Sequence, residues 1–130
     1  MKICIIGYGK MGKMVEKIAI SKGHSINQII DSPSDEVEGN ADVAIIFSTP
    51  ESALPNIIKC FEKKLPVICG TTGWLKDIEK IKKYCETNNN TFLFSPNFSL
   101  GVNLFFKINN SVSKIMRSHD EFNSKICEVH

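Results

Sequence analysis

Apolar residues along the chain fall into two spacings that alternate from one end to the other. Short continuous runs, among them Ile3-Cys4-Ile5-Ile6, residues 42–47 and residues 66–69, have the length and β-branched content of buried strands. Between them lie segments of helical period. In residues 10–22, Met11, Met14, Val15, Ile18 and Ala19 form one apolar stripe, with the methionines read as core filler and Lys10, Lys13, Glu16 and Lys17 turned outward. Gly23 closes this helix as its C-cap, and a short strand follows at 25–31. The helix after Ser48-Thr49-Pro50 aligns Ala53, Ile57 and Phe61; Pro55 would damage a helix interior, so its first turn is expected near Ser52. A third helix turns Trp74, Ile78, Ile81 and Cys85 inward, Trp74 as a packing residue, and stops at Asn88-Asn89-Asn90. A strand at 91–94 precedes a helix beginning near Gly101, with Phe105, Ile108, Val112 and Ile115 on one stripe, and a polar loop at 118–123 leads to a strand-like run at 124–130.

Strand–helix steps repeated in one direction predict an α/β fold: a Rossmann-like, doubly wound parallel sheet with helices on both faces, in one domain spanning 1–130. Only ten residues, 32–41, separate the second strand from the third. A parallel crossover with its helix normally needs at least about 10 to 12 residues, so strand 42–47 is expected directly beside the first strand. The point where strand order reverses, which is where open α/β sheets bind ligands, then lies between those two strands.

Composition narrows the functional classes. The chain has 130 residues, 42% hydrophobic and 23% charged, so it is expected to be a soluble globular protein; its net charge of +2 argues strongly neither for nor against nucleic acid, its lysines read as solvated helix faces, and no nucleic-acid partner is expected. No run approaches the ~18 apolar residues of a membrane span, and the N-terminus passes directly into a strand without a signal-peptide pattern. Five cysteines without a CxxC, each in an apolar run or amphipathic helix, read as buried hydrophobes in a reducing, cytoplasmic setting, with no metal site.

Against that background, Gly7-Tyr8-Gly9-Lys10-Met11-Gly12 stands out, because it follows a buried strand and opens a helix. The first glycine permits a sharp turn, the second lets backbone approach a pyrophosphate, and the third lets helix and strand pack closely. Asp31 lies 19 residues beyond Gly12, close to the spacing of an acid that holds a ribose hydroxyl. A 2′-phosphate would meet a like charge there, so NADH is expected over NADPH. The loops at 48–50, 70–73 and 95–99 also fall past strand ends and are expected on the same rim. Gly70, Thr71 and Thr72 suit a carboxamide and ribose, or form a turn in which Thr caps the next helix. Asn97 and Ser99 either contact the cofactor or cap the last helix, and Lys10 either approaches a phosphate or is solvated.

The segments GYGKMG, STPE, GTTGW and SPNFSLGVN, in this order and spacing, closely resemble the N-terminal cofactor domain of the dihydrodipicolinate reductases, enzymes of lysine and diaminopimelate synthesis that reduce 4-hydroxy-tetrahydrodipicolinate. The resemblance covers nearly the whole chain, and its GTTG and NFSLGVN pair is the specific part. It implies that residues 7–12 and Asp31 bind the adenosine half of NAD or NADP, and that Gly70, Thr71 and Thr72, with Ser95, Pro96, Asn97 and Phe98, border the nicotinamide. Glu128-Val129-His130 matches the start of the family's Glu-x-His-His-x-x-Lys motif, which aligns His130 with its general acid/base. Lys10 stands where arginine is common, and Ile46 where an acid is usual. In the intact family enzyme, a homotetramer, the substrate is a small dicarboxylate. This chain is expected to supply the cofactor-binding part and to be inactive alone. The alternative is a non-catalytic NAD-binding Rossmann module or degenerate remnant. A dehydrogenase acting on aspartate suits the glycine loop but not the GTTG and NFSLGVN pair.

Overall fold

A computed structural model describes residues 1–123, 125–127 and 129. The chain divides into two compact units, residues 1–96 and 97–130. The first holds a five-stranded parallel sheet: β1 (Lys2–Ile6), β2 (Ser25–Ile30), β3 (Val43–Ile46), β4 (Val67–Cys69) and β5 (Phe92–Phe94), in the order β2-β1-β3-β4-β5. As the short 32–41 segment predicts, β3 pairs directly with β1, Ile3 opposite Val43 and Ile6 opposite Ile46. Strand order therefore reverses between β1 and β3.

Residues alternate across the sheet with period two, and the two faces bury different sets. Cys4 and Ile6 of β1, Ala44 and Ile46 of β3, and Val67 and Cys69 of β4 face the larger core. That core is closed by α2 (Pro50–Glu62) through Ala53, Ile57, Cys60 and Phe61, and by α3 (Ile78–Asn88) through Ile81. Phe61 stacks on Tyr84 at 5.7 Å between ring centroids and meets Phe92 edge-on at 6.0 Å. Trp74 is buried, as expected, in edge contact with Phe94 and Phe92, and its indole N–H donates to the Thr71 carbonyl at 2.7 Å. It precedes α3 rather than joining it, because a 3-10 turn, Leu75–Asp77, intervenes.

The opposite face packs α1 (Lys10–Ser21) over Ile3, Ile5 and Val43. Here the helix faces inward with its small residues, Gly12 and Ala19, while Met11, Met14 and Ile18 are exposed, contrary to the core role expected of the methionines. The cause is the close approach at Gly12. A Cβ there would lie 2.2 Å from the Gly7 carbonyl oxygen, so the contact is set by backbone, and longer side chains rotate to the flanks. Gly23, at φ +78°, ends α1 as its sequence position suggests.

One helix boundary differs from expectation. α2 begins at Pro50, whose ring suits a first helical position, and retains Pro55 in its interior. The Pro55 nitrogen has no hydrogen for the Glu51 carbonyl, so one bond of the second turn is lost and the remaining turns are held by the buried face of α2. In the second unit, α4 (Leu100–Met116) is capped by Ser99, whose hydroxyl accepts from the Val102 N–H, but Phe105, Ile108, Val112 and Ile115 are all exposed. Lys125, Ile126, Cys127 and Val129 form no strand, contrary to the strand-like run expected at 124–130, because a strand persists only when its backbone groups are paired; the rest of that run lies outside the described residues. No helix of the described residues is long and apolar enough to cross a membrane.

Burial raises the Cys60 thiol to about 12, with the neighbouring Cys4 adding to it, and raises Cys4 to about 11, with Glu38 adding to it. These thiols stay neutral in the folded chain when their unfolded counterparts ionise near 9, so stability is full below pH 9 and declines as pH rises towards 11–12. Cys127 is exposed, contrary to the buried reading of all five cysteines; thiol labelling at pH 8 is expected to modify it in the folded chain and to reach Cys4 and Cys60 only on unfolding, and rapid labelling of either in the folded chain would contradict this core.

Candidate functional site

The last residues of all five strands lie in one row: Ile30, Ile6, Ile46, Cys69 and Phe94 are register partners. The ladder runs one step further. Gly7 donates to the Ile30 carbonyl at 2.8 Å, Phe47 to Ile6 at 2.9 Å, Gly70 to Ile46 at 2.9 Å and Ser95 to Cys69 at 3.2 Å. Asp31, Gly7, Phe47, Gly70 and Ser95 thus form a rim along the carboxyl edge, from which the polar loops depart.

At the order reversal the rim opens into a cavity of about 370 Å³. Gly7, Tyr8 and Gly9 wall it after β1, Asp31, Ser32 and Pro33 after β2, and Phe47, Ser48, Thr49, Ser52 and Asn56 after β3. A second hollow of about 290 Å³ shares Pro33, Thr49, Ser52 and Asn56 and extends to Pro55 and Lys59.

The glycines have separable tasks. Gly7 has φ +90°, and a Cβ on it would sit 2.1 Å from the Phe47 carbonyl oxygen, so the turn out of β1 passes against the backbone leaving β3. Gly9 is different. It lines the cavity, yet no protein atom lies within 4 Å of where its Cβ would be. The fold has no steric need for glycine there, so the space kept clear is space for something else. Gly70 is pressed on by the Phe47 ring, 2.1 Å from a would-be Cβ, which locks the 70–72 loop to the cavity wall.

The two helix N-termini beside the cavity differ electrostatically. α1 has no side-chain cap and no acid in its first turn, so its leading N–H groups and the positive end of its dipole are uncompensated from within. In α2, Pro50 supplies no N–H, and Glu51 sits in the first turn. Its carboxyl is held below the ordinary value by its own backbone N–H, then by the Thr49 hydroxyl, with Lys76 adding charge. An anion entering the cavity is therefore drawn to α1.

Asp31 Oδ1 accepts from the Tyr8 N–H at 2.7 Å, which ties the glycine loop to the end of β2. The Tyr8 phenol donates to Glu16 on α1, and this bond is the main reason its proton is held above the usual tyrosine range; Lys13 lies over the ring at 5.7 Å. The loop is thus anchored at both ends of one residue. Asn56 is 7% exposed and faces both hollows, and among the described residues no hydrogen bond meets its side-chain amide.

Among the sequence-derived candidates, Gly7, Tyr8, Gly9 and Asp31 line the cavity together. Lys10 and Met11 are exposed in the first turn of α1, and Gly12 is buried beneath it. Thr71 is buried; its hydroxyl accepts from the Ser48 N–H at 2.9 Å, so it bridges two rim loops and does not cap a helix, while Thr72 is exposed. Gly70, Thr71 and Thr72 reach the cavity only through Phe47 and Ser48. Ser95 continues the ladder at β5, and Pro96 follows it as the last residue of the first unit. In the second unit, Asn97 Oδ1 accepts from the Ser99 N–H at 2.8 Å, Asn103 donates to the Asn97 and Ser99 carbonyls, and Phe98 is half-exposed. His130 lies outside the described residues. Asn56 was not singled out, although a polar residue beside Ala53 and Ile57 on the inward face of a helix is a legible signal.

The family described as "Dihydrodipicolinate reductase, N-terminus" matches residues 1–98. A protein called 4-hydroxy-tetrahydrodipicolinate reductase from Christiangramia forsetii is 38% identical over 133 residues, covering all of this chain and 56% of its own length. Its namesake from Archaeoglobus fulgidus is 32% identical, covering all of this chain and 57% of its own. The chain spans about half the length of the curated relatives it matches. Among solved structures, apo scyllo-inositol dehydrogenase from Lactobacillus casei matches with a TM-score of 0.65 at 17% identity, over 88% of this chain and 42% of that one. An oxidoreductase from Agrobacterium radiobacter in complex with NAD+, L-tartaric acid and magnesium matches with a TM-score of 0.62 at 19% identity, over 75% of this chain and 36% of that one. These structural likenesses show the Rossmann-type fold.

Substituting Gly7 and Gly9 separates fold from site. Gly7→Ala is expected to lower stability by about 1–3 kcal/mol from backbone strain, with the Phe47 collision in addition, whereas Gly9→Ala should stay within about 0.5 kcal/mol. Urea unfolding of both variants checks this. Equal losses would contradict the assignment of Gly9 to a ligand.

Proposed function

The chain belongs to the dihydrodipicolinate reductase N-terminal family, and from that premise we propose that its switch-point cavity holds the adenosine half of a nicotinamide dinucleotide, as the cofactor part of a 4-hydroxy-tetrahydrodipicolinate reductase. The observation that carries this reading is Gly9: a glycine the protein's own packing does not require, in the wall of a cavity beside an uncapped helix N-terminus.

In this reading the leading N–H groups of α1, at Lys10, Met11 and Gly12, receive the pyrophosphate. Asp31 keeps Oδ1 on the Tyr8 N–H and offers Oδ2 to a ribose hydroxyl. Asn56 offers its unpartnered amide to the polar edge of a base lying between Pro33 and α2. Gly70, Thr71, Thr72, Ser95 and Pro96 are assigned to the nicotinamide end, and Asn97 and Phe98 join them by the family resemblance alone. When bound, the dinucleotide supplies a hydride donor. The protein's part is to hold that donor in register with a cyclic dicarboxylate and to offset the developing charge. His130 is assigned as proton donor by alignment with the family motif, and the remaining substrate contacts and the homotetramer are assigned to the intact enzyme. The Asp31 carboxylate favours NADH over NADPH, because a 2′-phosphate brings two like charges together. Five free cysteines accord with a cytoplasmic setting.

Calorimetric titration of the 130-residue chain is expected to show NADH binding, weaker NADPH binding, loss of both in Gly9→Ala at unchanged stability, and negligible reductase turnover. Undiminished binding by Gly9→Ala would overturn the placement of the pyrophosphate, and substantial turnover would overturn the assignment of essential substrate contacts outside this chain.

A further inference from the structure

Resting on that dinucleotide reading, we propose that Asp35 is a second specificity-determining residue, whose carboxylate occupies the backbone donors a 2′-phosphate would need and so excludes the phosphorylated cofactor independently of Asp31. The segment after β2 folds back on itself: the Asp35 N–H donates to the Ser32 carbonyl at 3.1 Å, closing a turn. This brings Asp35 Oδ2 to the Ser32 N–H at 3.0 Å and to the Asp31 N–H at 3.3 Å. Two successive N–H groups converging on one oxygen form a small anion-binding concavity. Here the protein fills it with its own anion.

Its place beside the cavity gives this turn a consequence for ligands. Asp31, Ser32 and Pro33 line the cavity, and across it stands Asn56, nine-tenths buried with an unpartnered amide, which marks the hollow between Pro33 and α2 for a group with a polar edge. A base seated there sets its ribose beside residues 31–32. A free 2′-hydroxyl can donate to Asp31. A 2′-phosphate would face the Asp31 carboxylate and find the adjacent N–H groups already bonded to Asp35. The cation that reaches this turn does not relieve the clash, because Lys59 Nζ donates to the Pro33 carbonyl at 2.9 Å and the Asp35 carbonyl at 3.0 Å. Lys59 thereby holds the turn shut from the α2 side, and the Ser32 and Ser34 hydroxyls, 2.8 Å apart, brace it within.

The test is titration of the chain and two variants with NADH and NADPH, and with ADP and adenosine 2′,5′-bisphosphate as minimal probes. Asp35→Ala frees both N–H groups and removes a charge; NADPH and bisphosphate affinity should rise about tenfold, while NADH and ADP change less than about threefold. Asp35→Asn keeps an oxygen on the N–H groups, preserves the turn and removes the charge alone, so the phosphorylated ligands should gain only about threefold. No gain in either variant, or equal weakening of all four ligands, overturns the proposal and leaves Asp35 a brace of the loop. An unsubstituted chain that binds none of the four overturns the dinucleotide reading itself, and this proposal with it.

Discussion

Everything at the carboxyl edge depends on how closely the backbone leaving β1 passes the backbone leaving β3. Those strands are hydrogen-bonded neighbours because the chain crosses back past β1 after β2. A turn squeezed between them has no room for a side chain at Gly7, where a Cβ would meet the Phe47 carbonyl, nor at Gly12, where it would meet Gly7 itself. From this contact follow the tight seating of α1 on Ile3 and Ile5, the inward placement of its small residues and the outward placement of its methionines. The cavity is what remains open where that crowding stops, at Gly9.

Polar groups around the opening are arranged so that one helix end is left for an anion while several others are already bonded within the protein. Asp31 is tied to the glycine loop, Asp35 to the N–H groups after β2, Glu51 to the start of α2, and the Thr71 hydroxyl to Ser48. Such internal bonds limit where a ligand's charges can go, because each occupied donor would have to be vacated first. Opposite them, the side chains of the described residues leave the α1 N-terminus uncapped and give the Asn56 amide no partner. Recognition in this site depends as much on what is already bonded as on what is free.

Much of this was legible in the residues. The continuous apolar runs and the brevity of 32–41 gave the strands and the placement of β3 beside β1, because a crossover of that length cannot carry a helix. The glycine spacing and Asp31 located the cavity. What periodicity missed depended on depth and rotation: it placed Met11 and Met14 on the buried stripe, since hydrophobicity alone does not say that a backbone contact at Gly12 turns that face aside. Pro55 was taken to delay α2, yet one lost hydrogen bond is outweighed by the burial of Ala53, Ile57, Cys60 and Phe61. Thr71 caps no helix, one of its two readings, and its hydroxyl holds the backbone of Ser48, 23 residues away, a tie that spacing does not display. Asp35 went unnoticed because its significance rests on partners that only the folded chain displays, whereas Asn56, a polar residue among the inward Ala53 and Ile57, was legible in the residues and was passed over.

The central claim is that a dinucleotide lies across the β1–β3 reversal with its phosphates on α1 and its adenosine beside Asp31. Backbone amide NMR of the chain titrated with NADH tests this most directly. The account predicts shifts concentrated at Gly7, Gly9, the first turn of α1, Ser32 and the Ser48–Ser52 loop, with the Asn56 side-chain amide moving alongside them. Saturable shifts elsewhere on the sheet, with the glycine loop and the Asn56 side chain unmoved, would contradict it.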